Sequence, residues 1–87
     1  MISRKITYRG NFDQEAISTM FDITRKNEIT GQVHAVNAHA VELNLEGDAS
    51  VIKLIQHQIE RSPKVVFTDK TVDSIPTQNF IGVTFLN

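Results

Sequence analysis

Apolar and polar residues alternate from Ile2 to Arg9, with Ile2, Ile6 and Tyr8 on one side and Lys5 and Thr7 between them. A period of two predicts a strand. Gly10-Asn11 ends it, and the period then changes. Ala16, Ile17, Met20, Phe21 and Ile23 recur at helical spacing, which predicts an amphipathic helix over Asp13–Lys26. Asp13, Gln14 and Glu15 open that helix, and acids are favoured at the positive end of the helix dipole. Thr30–Val36 predicts a second strand, and Asn37-Ala38-His39 a hairpin turn. Val41, Leu43 and Leu45 then alternate with Glu42, Asn44 and Glu46, the pattern of a third strand with one buried and one wet face.

Gly47-Asp48 closes the third strand, and Asp48 is placed to cap a second helix. Val51, Ile52, Leu54, Ile55 and Ile59 form its apolar stripe. It should end near Arg61, because Pro63 cannot continue it. Lys64–Thr68 predicts a fourth strand and Phe80–Leu86 the last one. Asp69–Gln78 carries no clear period, with Val72 the one residue that would extend a ragged strand. This order predicts an α+β, ferredoxin-like βαββαβ sandwich, with an antiparallel sheet and both helices on one face. A chain of 87 residues suits one domain over 1–87, and no repeat or linker interrupts it.

Composition narrows the chemistry. At 40% apolar and 22% charged the chain is of ordinary globular type. Apolar runs such as Val65-Val66-Phe67 are far too short for a bilayer. No apolar stretch follows Arg4-Lys5, so no signal peptide and no membrane partner are expected, and the expected location is cytoplasmic. The chain has no cysteine, which removes disulfides, thiolate metal sites and a thiol nucleophile. A net charge of −1 gives no general attraction to nucleic acid, and the third strand offers no aromatic ring on which bases could stack. His34, His39 and His57 read as surface or partly buried side chains, since zinc needs three or four closely held ligands. No metal, cofactor or nucleic-acid partner is expected.

Several positions together resemble the acylphosphatase family. Gly10 stands where that family begins its phosphate loop. Asn27-Glu28-Ile29-Thr30-Gly31, followed by Val33, is similar to its Leu-Gly-Leu-x-Gly entry into the second strand. Val41-Glu42, Gly47 and Ser62-Pro63 match further framework positions, with the first helix one residue short. The resemblance implies an acyl-phosphate hydrolase whose phosphate is held by loop amides and an arginine, while an asparagine on the second strand orients water. Amides at a helix start favour an anion, and a guanidinium would add a bidentate clamp.

The chain departs from this pattern at both chemical positions. The arginine position falls on Ser18 when counted from Gly10, and on Ile17 when counted back from Gly31. The asparagine position falls on Ala35. Asn37, two residues on, would share its face in a regular strand, about 6–7 Å away. The candidate anion loop, Gly10, Asn11, Phe12, Asp13 and Gln14, runs on into Glu15. A carboxylate ~5 Å from a bound phosphate opposes it by ~3 kcal/mol at an effective dielectric near ~20.

Ile29-Thr30-Gly31 and Leu45-Glu46-Gly47 also resemble the flavin-binding blue-light (BLUF) sensors, with Tyr8 and Asn27 as flavin-contacting candidates. There the glutamine position is Leu43. The expectation from the sequence is therefore an acylphosphatase-like domain without catalysis, acting as a binding or interaction module for an unknown protein or small-molecule partner. An active or altered hydrolase using Asn11, Gln14, Ser18 and Asn37 is the alternative, and a flavin sensor the third reading. The surfaces on offer are the face of Glu42, Asn44 and Glu46, and an exposed sheet edge. That edge makes a monomer or weak homodimer the expected state.

Overall fold

The computed structural model describes residues 1–87. Strand β1 (Ile2–Gly10) leads to helix α1 (Gln14–Arg25), strands β2 (Thr30–Asn37) and β3 (Ala40–Gly47), helix α2 (Ala49–Arg61), and strands β4 (Phe67–Ser74) and β5 (Val83–Leu86). The strands form one sheet in the order β4-β1-β3-β2-β5. Pairing is antiparallel except at β5, which runs parallel to β2 with Val83 beside Gly31 and Phe85 beside Val33. The sheet is thus mixed, not wholly antiparallel as the sequence pattern implied. The reason is topological. β5 enters the sheet only after the chain has crossed from one edge to the other.

The two periodicities meet in one core. Ile6, Tyr8, Val33, Val41, Leu43 and Leu45 point to the helix side of the sheet and are fully buried. Against them α1 packs Ala16, Met20 and Thr24, and α2 packs Ile52, Ile55 and Ile59, each set three or four residues apart on one helix face. The Thr24 hydroxyl donates to the Met20 carbonyl at 2.8 Å, so its burial leaves no polar atom orphaned. Leu54 was expected in the apolar stripe but is 45% exposed. It projects from the opposite side of α2 to Ile52. Asp48 occupies the N-cap of α2 without a side-chain bond to the helix amides, whereas Asp13 caps α1 with one.

The fourth strand lies three residues later than the pattern suggested. Lys64 and Val66 stay outside it, Val65 plugs the core with 5% exposure, and pairing with β1 starts at Phe67. The stretch from Asp69 to Ser74 had little pattern because β4 is an edge strand, with most of its residues exposed. The last strand is shorter than predicted, beginning at Val83. Ile75–Gly82 crosses β1, β3 and β2 on the face away from the helices, with the Ile75 N–H donating to Ser3 O (3.2 Å) and the Gly31 N–H to Gly82 O (3.0 Å).

That crossover overturns one expectation. The alternation along β3 predicts a wet position for Glu46, yet it is only 3% exposed. Its carboxylate accepts from the Ser3 hydroxyl (2.7 Å), the Gln78 N–H (2.6 Å) and the Phe80 N–H (3.3 Å). These donors hold its pKa below the usual carboxylate range, the Ser3 hydroxyl first among them. Glu42 and Asn44 remain partly exposed on the same face. No helix is long and apolar enough to cross a membrane.

Candidate functional site

The loop between β1 and α1 is tied to the turn between β2 and β3. The Gly10 N–H donates to His39 O at 3.0 Å and the Phe12 N–H to Ala38 O at 2.8 Å. The His39 Nδ1 atom lies 3.2 Å from Gly10 O. Two of the loop's amides are therefore engaged by backbone carbonyls. Phe12, counted from the sequence among the anion-loop candidates, turns inward instead and is 4% exposed. An apolar ring two residues before a helix gains more from the core than from water. Gly10 lies so close to the start of β4 that a Cβ there would be 2.6 Å from Val66 O.

Asp13 completes the loop. Its Oδ1 accepts the Ala16 N–H at 2.8 Å, a side-chain cap of α1. Glu15 pairs with Lys64 across 3.1 Å, both largely exposed, so this cation near the helix start faces a carboxylate. Asn11 and Gln14 are exposed.

Ile17 and Ser18, the two candidates for the arginine position, lie side by side in a groove. Gln14, Ile17, Ser18 and Phe21 of α1 form one wall and Phe85 and Asn87 the other, around a volume of about 380 Å³. The ring centroids of Phe21 and Phe85 are 5.7 Å apart, edge to face. No cationic side chain lines the groove. Nothing in the sequence pattern marks Phe85 and Asn87 as groove residues, because only the parallel docking of β5 brings the chain's end beside α1.

The structure separates Asn37 from this groove. A register shift between Ala35 and Asn37 sets Asn37 opposite Ala40, so it does not simply share Ala35's face as in a regular strand. Its Oδ1 accepts the His39 N–H at 2.7 Å, the local turn bond that asparagine makes readily. Ala35 pairs with Val41 and is half-buried.

Tyr8 is wholly buried, and its hydroxyl donates to Glu60 Oε2 at 2.9 Å, where Lys70 Nζ also lies at 2.6 Å. Burial, and then the Glu60 carboxylate, push its phenol well above the ordinary range. The Asn27 amide donates to Ile23 O (2.7 Å) and Gln58 Oε1 (3.1 Å). Both residues proposed for flavin contact are thus engaged by the protein. His34 lies 3.6 Å from Glu42, and His57 meets Arg61 on α2, so the three histidines stand apart on separate elements.

No protein-family model matches this chain, and no curated protein sequence does. Solved structures do. An acylphosphatase from Bacillus subtilis superposes with a TM-score of 0.87 at 17% identity, covering 100% of both chains. An acylphosphatase from Coxiella burnetii gives 0.83 at 15% identity, over 97% of this chain and 90% of that one. A bacterial light-regulated adenylyl cyclase gives 0.67 at 14% identity, over 100% of this chain and 27% of that one. At these identities the likeness establishes the fold, and the fold is acylphosphatase-like.

Proposed function

We propose that this chain is an acylphosphatase-like domain that does not hydrolyse acyl phosphates and serves as a binding or interaction module. The observation that carries the reading is the loop's hydrogen bonding. Gly10 and Phe12 donate to the carbonyls of His39 and Ala38, and the Phe12 ring lies in the core. A phosphate cradle needs converging free N–H groups, and here two of the loop's donors have partners already. Three further features support it. Ser18, Ile17 and Ala35 supply neither a guanidinium nor an amide at the positions the resemblance assigns. Asp13 and Glu15 set negative charge at the helix start, where a phosphate would sit. Lys64, the nearby cation, is paired with Glu15. The groove between α1 and β5, half apolar and without cations, suits an uncharged or apolar ligand better than an anion.

A second reading rests on one observation: Gln14 and Ser18 share that groove. An altered hydrolase would place its substrate there, against these two polar side chains. Acetyl phosphate and benzoyl phosphate hydrolysis by purified protein decides between the two. The expected result is no turnover above the uncatalysed background. Turnover that disappears in Asn11→Ala or Ser18→Ala would establish the enzyme reading instead.

A further inference from the structure

The two edges of the sheet are built differently. β4 carries Asp69, Lys70 and Asp73 within eight residues, and such charges oppose the addition of another strand. β5 reads Val-Thr-Phe-Leu with no charge at all. Around it Ile81 is 93% exposed, Leu86 42% and Phe85 39%.

We propose that two copies of this chain pair antiparallel through β5, about a two-fold axis at Thr84, so that one sheet continues through both. The backbone sets the register. Gly82 O accepts the Gly31 N–H, so the alternation of a strand turns the N–H and C=O groups of Val83 and Phe85 away from β2, towards the open edge. These are the groups a further strand would engage. With Thr84 opposite Thr84, Val83 of each copy stands opposite Phe85 of the other, in hydrogen-bonded pairs.

The groove beside this edge fixes what the added strand must carry. Ile17, Phe21 and Phe85 line it on the helix side of the sheet. In strand addition the backbone supplies affinity, and alternate side chains fill whatever pocket adjoins the edge. Val83 and Phe85 share the helix side, being registered with Gly31 and Val33. A second copy therefore brings apolar side chains at the alternate positions the groove needs. The contact is isologous and closes at two chains. No charge meets a like charge within the paired strands. A four-residue edge with one groove is small beside a standard interface, so the dimer is weak and depends on concentration. The proposal does not depend on the functional reading above, since a hydrolase could pair through the same edge.

The chain has no cysteine, so Thr84→Cys introduces its only thiol. Opposed residues in an antiparallel pair lie within disulfide reach. Under mild oxidation Thr84→Cys should form covalent dimer at least about tenfold faster than Asp73→Cys on the other edge, because pairing raises the effective thiol concentration. In sedimentation of the unmodified chain the average mass should rise towards two chains as protein approaches ~1 mM, and Thr84→Lys should hold it at one. Equal cross-linking rates for the two cysteine variants, or an unmodified chain that stays monomeric at that concentration, would overturn the proposal.

Discussion

Ser3 and Glu46 lie 43 residues apart in the chain and face each other across β1 and β3, with the Ser3 hydroxyl donating to Glu46 Oε2 at 2.7 Å. The same carboxylate collects the backbone N–H groups of Gln78 and Phe80, so one side chain ties the Ile75–Gly82 crossover to the middle of the sheet. Without that crossover β5 could not reach β2, and the groove against α1 would lose a wall.

Glu46 should make stability sensitive to acid. Its folded pKa is lowered, so its contribution is fully present above the unfolded carboxylate value of about 4.3 and is lost as pH falls through the folded value. Urea midpoints of the unmodified chain and Glu46→Gln, measured from neutral to acidic pH, should differ most at neutral pH and converge at the acidic end. A gap that stays constant with pH would show that the charge is unimportant.

Tyr8 should behave in the opposite sense. Its phenol pKa is raised by burial and by Glu60, so its contribution is complete below the unfolded value of about 10 and declines at higher pH. The chain has one tyrosine and no tryptophan, so phenolate absorbance reports this group alone. It should appear together with the loss of circular dichroism in alkali, not before it. Tyr8→Phe should cost about 1–2 kcal/mol in denaturant unfolding at neutral pH.

Gly31 and Gly82 should respond differently to the same change. A Cβ on Gly31 would run into the Asn44 carbonyl oxygen, which belongs to the sheet backbone and cannot move aside. Gly31→Ala should therefore cost about 3 kcal/mol, at the upper end of overpacking penalties. Gly82 has φ 68° and nothing within 4 Å of a Cβ, so Gly82→Ala should cost only the ~1 kcal/mol of a left-handed backbone. Equilibrium unfolding of the two variants gives the order directly.

On the proposed reading, adding the arginine and asparagine of the acylphosphatase pattern should not create an enzyme. Ser18→Arg with Ala35→Asn puts back both side chains that the family pattern calls for. The Gly10 and Phe12 amides stay bonded to the hairpin turn, and Asp13 and Glu15 stay beside the helix start. Acyl-phosphate turnover by the double variant should remain at background, and a clear rate above it would locate the defect in the side chains alone.

Most of the architecture was legible along the chain. Alternation from Ile2 to Tyr8 and from Val41 to Leu45, and the helical spacing of Ala16 with Met20 and of Ile52 with Ile55 and Ile59, follow from burial of one face per element. The limits of β4 and β5 were not, because edge strands bury little and leave weak patterns. The side chains at Ser18, Ile17 and Ala35, where the resemblance would put the acylphosphatase arginine and asparagine, are written in the sequence. Which way Phe12 turns could not.

The sequence by itself determined the local periods, the single core, and that neither Ser18 nor Ile17 is basic and Ala35 carries no amide. Only the tertiary structure decided the parallel docking of β5, the burial of Glu46 under the crossover and the pairing of the Gly10 and Phe12 amides with the turn at Ala38 and His39. Each of these joins residues distant in the chain. A hydrophobic period records which face of an element is buried, but carries no information about which remote backbone group an amide or a carboxylate will meet there.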